Sequence, residues 1–143
     1  MRSVVREKPS KSVFPHFCCM PEMKSMLIVE GDYSIACLFA EIFSQRNWKV
    51  DTPRNGRSIV EALLGKMPYD IILISYRIPV INGIELVRLI RELECRKQTP
   101  ILMVTGNGNA MSEAIVAGVD EFLCKPIEPD KLIAAVTRHV LES

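Results

Sequence analysis

The sequence predicts an α/β fold in which five helices doubly wind a five-stranded parallel sheet. Two observations carry that expectation. Three short, continuously apolar runs, MLIV at 26–29, IILI at 71–74 and ILMV at 101–104, read as strands covered on both faces. Amphipathic segments at helical spacing lie between and after them. Strands alternating with helices require crossover connections, and right-handed crossovers leave a parallel sheet wrapped on both sides.

Each element has its own signal. After the first strand, Asp32 is placed to cap a helix whose apolar stripe is Ile35, Leu38, Phe39, Ile42 and Phe43, ending near Asn47. A weaker strand follows at 48–52. Ile59, Val60, Leu63 and Leu64 form a second, shorter helix stopped at Gly65. The run at 71–74 is the third strand, and Leu86, Val87, Ile90 and Leu93 form the third helix. After the strand at 101–104, Met111, Ala114 and Ile115 make a fourth helix closed by Gly118. The fifth strand is expected at 121–124, with Cys124 as buried packing. Leu132, Ile133, Val136 and Val140 complete the fifth helix.

Composition narrows the function classes. With 143 residues, 48% of them hydrophobic and 24% charged, the chain suits one domain with a sizeable core. Its apolar runs fall far below the roughly 18 residues of a membrane span, and nothing near the start resembles a secretory signal, so a cytoplasmic location is expected. Five cysteines, an odd number without CxxC spacing, fit reduced thiols better than disulfides or a zinc site. A net charge of +1 gives no general pull toward nucleic acid. Residues 1–25 hold Arg2, Arg6, Lys8, Lys11 and Lys24 against Glu7 and Glu22, a net +3 that leaves the remainder at −2. With three prolines and no periodicity, this segment reads as an extended or disordered leader before a domain at 26–143. No effector segment follows the last helix, so the domain is expected to stand alone.

In doubly wound folds, chemistry sits outside the carboxyl ends of the strands. Here those positions hold Glu30, Gly31 and Asp32, then Ser75 to Arg77, then Thr105 and Gly106, then Lys125 and Pro126. Four segments in register, LIVEGDY, PYDIILISYRIPVINGIEL, TPILMVTG and AGVDEFLCKP, resemble the receiver domain of two-component response regulators. The resemblance implies the flavodoxin-like strand order 2-1-3-4-5. It also implies a site where an aspartate accepts a phosphoryl group from a phosphohistidine, beside a divalent cation held by acidic residues. Carried over by position, Glu30 stands at the first acidic place and Gly31 where the second, metal-binding acid belongs. Ser75 stands at the acceptor. Thr105 and Lys125 are the retained phosphoryl contacts, Phe122 occupies the aromatic switch position, and the bond before Pro126 is implied to be cis.

Charge decides what the substitutions mean. Three carboxylates and a lysine sum to −2 and attract a hard cation, whereas this pocket sets Glu30 against Lys125. An inward Arg77 makes the sum +1, and counting Asp32 as well returns it to 0. Neither sum favours a divalent ion, so no metal or other cofactor is expected and Mg2+ binding should be weak or absent. Lys125 or Arg77 is expected to pair with Glu30 instead. Ser75 lacks an activating base, because His16 lies in the leader and His139 late in the last helix, and no Gly-x-Ser-x-Gly elbow surrounds it. It is read as filling a vacated pocket. Asp70 precedes its strand and falls about 16 Å from the strand's far end at roughly 3.3 Å per residue. The TGNGN segment reads as a turn, and Phe122 as either core or switch.

The function expected is therefore not enzymatic. The chain reads as an atypical receiver in phosphorelay signalling, working by protein contact without aspartyl phosphorylation. Its expected partner is a histidine kinase, a downstream signalling protein, or a second copy through the face made by the fourth helix, fifth strand and fifth helix. Nucleic acid and membrane are not expected partners. The alternatives are a small-molecule binder or enzyme on a flavodoxin-like fold, or a receiver phosphorylated at Ser75.

Overall fold

The structure, a computed structural model, describes residues 23–141. The leader reading therefore falls almost wholly outside the described residues. The elements run β1 (Lys24–Val29), α1 (Tyr33–Ser44), β2 (Trp48–Asp51), α2 (Gly56–Leu64), β3 (Ile71–Ile74), α3 (Gly83–Glu92), β4 (Ile101–Thr105), α4 (Met111–Ala117), β5 (Glu121–Cys124) and α5 (Pro129–Leu141). Single 3-10 turns at Glu94–Arg96 and Gly108–Ala110 precede β4 and α4. The sheet is parallel throughout, in the order β2-β1-β3-β4-β5.

The strands bury both faces because successive side chains point to opposite sides. Leu27, Val29, Ile72, Ile74, Ile101 and Met103 face α2, α3 and α4, meeting Ile59, Leu63, Val87, Ile90 and Ala114. Met26, Ile28, Ile71, Leu73, Leu102 and Val104 face α1 and α5, meeting Phe39, Phe43, Leu132 and Val136. The continuous apolar runs are thus two interleaved stripes, each packed by its own helices. A fully buried Ile or Leu contributes about 2 kcal/mol by removal from water, so these three central strands dominate the fold's stability.

Caps fix where the helices begin. Asp32 Oδ1 accepts the Ser34 and Ile35 backbone N–H groups at 2.9 and 3.3 Å, starting α1 directly after β1. Asn55 and Ser58 form a reciprocal capping box at α2. Asn82 Oδ1 accepts from Glu85 N at 2.9 Å and starts α3. Each cap places a helix N-terminus at the same edge of the sheet, where the candidate site lies.

Two cations hold the opposite side of the molecule, and neither announced itself by spacing. Arg96, 2% exposed, donates to the carbonyls of Ala62, Leu63, Gly65 and Met67, satisfying the C-terminal end of α2. Its guanidinium also lies 5.0 Å from the centre of the Tyr69 ring. Arg91 bonds the carbonyls of Gly118, Arg96, Lys97 and Thr99 and pairs with Asp120, tying α3 to the entry of β4 and the exit of α4.

The sheet entrance also explains Asp70. Its Oδ2 accepts the Ser25 N–H at 2.8 Å while its own N–H donates to the Ser25 carbonyl at 2.8 Å, clamping the starts of β1 and β3. One packing expectation is corrected. Cys124 is exposed rather than buried, because β5 is an edge strand and Cys124 sits at its last position, opposite Thr105. Among the described residues, no helix is long and apolar enough to cross a membrane.

Candidate functional site

A cleft of about 990 Å3 opens at the carboxyl ends of the strands, lined among others by Glu30, Ser75, Arg77, Thr105 and Lys125. Glu30, Gly31, Ser75, Arg77, Thr105 and Lys125 converge here from the ends of β1, β3, β4 and β5, whereas Phe122 and Pro126 do not line the cleft. Phe122 is half-buried and packs against the α2–α4 side of the core.

Glu30 is buried, and each of its carboxylate oxygens is engaged. Lys125 Nζ donates to Oε1 at 2.8 Å, and the Asp32 backbone N–H donates to Oε2 at 3.0 Å. The Glu30 and Lys125 side chains are 5% and 20% exposed, so this ion pair is shielded from water on most sides. Lys125 is aimed there by its place at the end of β5, where its backbone N–H donates to the Thr105 carbonyl at 2.9 Å. The Lys125–Pro126 peptide is cis. Arg77 is not the partner of Glu30: its side chain is exposed at the cleft mouth.

The Arg77 main chain has a separate role that side-chain chemistry could not foretell. Its carbonyl accepts the Gly31 N–H at 3.2 Å. A Cβ at position 31 would collide with that same carbonyl oxygen, closer than real side chains come. Gly31 thus lets the loop after β3 settle onto the loop after β1, and its lack of a side chain is the one sequence signal of this contact. The loop is braced further by an antiparallel bridge between Arg77 and Asn82, and by Gly83 N–H donating to the Tyr76 carbonyl at 2.7 Å. At its tip, Val80 takes φ 83° at the centre of a turn closed by Ile81 N–H and the Pro79 carbonyl at 3.0 Å. A β-branched residue there stores backbone strain, held by the bracing on either side.

Ser75 is 4% exposed, and its backbone N–H donates to the Val29 carbonyl at 2.9 Å. Thr105 is equally buried, and its Oγ1 accepts the Asn107 N–H at 3.3 Å, shaping the turn before α4. Among the described residues no histidine lines the cleft, so none of them offers an imidazole to activate either hydroxyl.

The residues do not fit a hard divalent cation. Such an ion needs several free, negatively charged oxygens. Glu30 is committed to Lys125 and Asp32, Asp32 Oδ1 to the α1 cap, and the Arg77 carbonyl to Gly31. No group of three or more His, Cys, Asp or Glu side chains among the described residues is arranged to hold a metal.

Comparison with known proteins gives a consistent family. The response regulator receiver domain model matches residues 26–137. The response regulator ArlR of Staphylococcus epidermidis is 28% identical over 116 residues, covering 80% of this chain and 51% of that protein. The chain therefore spans about half the length of the curated relatives it matches. The chemotaxis response regulator CheY4 of Vibrio cholerae is similar in structure, with a TM-score of 0.74 and 27% identity over 82% of this chain and 99% of that one. The receiver domain of the sensor histidine kinase PA1611 from Pseudomonas aeruginosa, solved with a magnesium ion coordinated in its active-site cleft, shares the fold. Its TM-score is 0.75, with 24% identity over 83% of this chain and 98% of that one.

Proposed function

Because the chain belongs to the response regulator receiver domain family, we propose that it is an atypical receiver, signalling by protein contact without an aspartyl phosphate. Receiver domains of this family are signalling modules rather than catalysts. The observation that carries the proposal is the engagement of Glu30 by Lys125 beside a serine at the acceptor position. A phosphoryl acceptor needs a nucleophile and a charge-neutralising cation placed in line. Ser75 has no base, and the acidic position that remains already has its cation in Lys125. Gly31, pressed under the Arg77 carbonyl, supports the same reading, since the second acid is missing and its space is filled.

Output then rests on surface. Receiver domains of this fold typically pair with histidine kinases, and two of the similar structures are receiver domains of histidine kinases themselves. A kinase or a downstream signalling protein is the proposed partner here, in the cytoplasm. The proposed contact face is α4, β5 and α5, where Met111, Ile115 and Val116 are exposed beside an edge strand. A second copy meeting that face is the homodimeric form of the same proposal.

Incubation with acetyl phosphate and Mg2+ followed by intact mass spectrometry tests the reading. Unchanged mass is expected. A phosphoryl adduct lost in Ser75→Ala would overturn it.

A further inference from the structure

We infer that residues 13–20 of this chain dock back on its own domain, their apolar side chains covering the exposed face of α2 at Val60 and Leu64. The contact lies away from the cleft and does not rest on the signalling reading.

α2 carries more apolar surface than the core uses. Ile59 and Leu63 are buried against the sheet. Val60 and Leu64, one position further round the helix, form a second i,i+4 pair and are 51% and 65% exposed. An amphipathic helix ordinarily turns polar residues to water, so two neighbouring aliphatic side chains left there call for a cover. Beside them Arg57 and Glu61 pair with each other at 3.2 Å, which leaves this face without an unmatched charge to recruit a charged partner. The cover it suits is apolar.

The chain itself supplies one at the right end of the molecule. The C-terminal end of α2 meets the start of β1, where Ser25 Oγ lies 3.8 Å from the Sδ of Met67, just beyond Leu64 in sequence. Residues 1–22 join the domain there, through Met23. By strand alternation with Ser25 and Leu27, Met23 takes the α2 side of the sheet, and it is itself 56% exposed. From Val13 to Met20 the sequence reads VFPHFCCM, without Asp, Glu, Lys or Arg, whereas the cations Arg2, Arg6, Lys8 and Lys11 all come earlier. Phe14 and Phe17 are the large apolar side chains of this stretch. Reach is sufficient. The chain from Phe17 to Met23 spans up to about 20 Å when extended, while Val60 and Leu64 lie about 6 Å apart along the helix. Tethering through Met23 sets an effective concentration on the order of millimolar, so a small apolar contact serves where a free partner would need a larger interface.

The test is methyl-resolved NMR of the full chain, recording NOEs from the Val60 and Leu64 methyl groups. Contacts to aromatic ring protons are expected at both, and are expected to be lost in the Phe14→Ser, Phe17→Ser double variant, which alters only the docking segment. The Leu89 methyls, exposed to a similar degree on α3, should not change. Val60 and Leu64 methyls without ring contacts, or with contacts that all survive the double variant, overturn the inference. Ring contacts that arise between differently labelled chains in a mixed sample also overturn it, giving the face to a second copy instead.

Discussion

At the scale of single residues, Glu30 and Lys125 hold the site. A carboxylate 5% exposed has lost most of its hydration, and the ammonium 2.8 Å away restores much of that loss. Removing one partner strands the other, so Lys125→Met is expected to destabilise the fold by on the order of 2 kcal/mol. The Glu30→Gln, Lys125→Met double variant should cost less than the two single changes together, by about 1–3 kcal/mol of coupling. Urea denaturation of the four proteins measures it; strictly additive losses would contradict the pairing. The candidates for this pair were readable in the sequence because strand ends of a parallel sheet gather at one edge. The choice of Lys125 over Arg77 was not, since it depends on where the loop after β3 turns. That loop is fixed by a main-chain contact, Gly31 N–H to the Arg77 carbonyl, which residue types alone barely encode.

At the scale of elements, β5 and α5 are clasped by Glu121, which accepts two hydrogen bonds from Arg138 at 2.7 Å and stands 2.7 Å from His139 Nε2. Burial by itself would raise the Glu121 carboxyl, but hydrogen bonds from Arg138 and then His139 outweigh it and hold the group below its ordinary value. A carboxyl depressed in the folded state adds stability above its unfolded pKa and loses it as pH falls through the lower, folded one. The acid limb of a stability-against-pH curve should therefore flatten in Glu121→Gln, as followed by chemical denaturation from neutral pH downward. An unchanged limb would show that the clasp carries no such linkage. Helix positions and caps were legible in the sequence, Asp32 above all, because apolar period and cap chemistry are local. Arg96 at the end of α2 was not, since its four carbonyl partners come from a segment about thirty residues earlier, near 62–67. Cys124 was misread although the implied strand order already put β5 at an edge, because its exposure follows from its place at the last, uncovered position of that strand.

At the scale of the whole molecule, the two interleaved apolar stripes specify the sheet, and the sheet brings four loops to one cleft. The strand order is the flavodoxin-like 2-1-3-4-5, and the loop after β3 is braced by the Arg77–Asn82 bridge. In the proposed reading the cleft's chemistry differs, with the Glu30–Lys125 ion pair standing where the family resemblance implies a cation. The proposed function rests on this pocket working without a metal. Isothermal titration calorimetry with MgCl2 measures that claim most directly. The account predicts no saturable heat through the low-millimolar range; a saturable isotherm abolished by Glu30→Gln would contradict it.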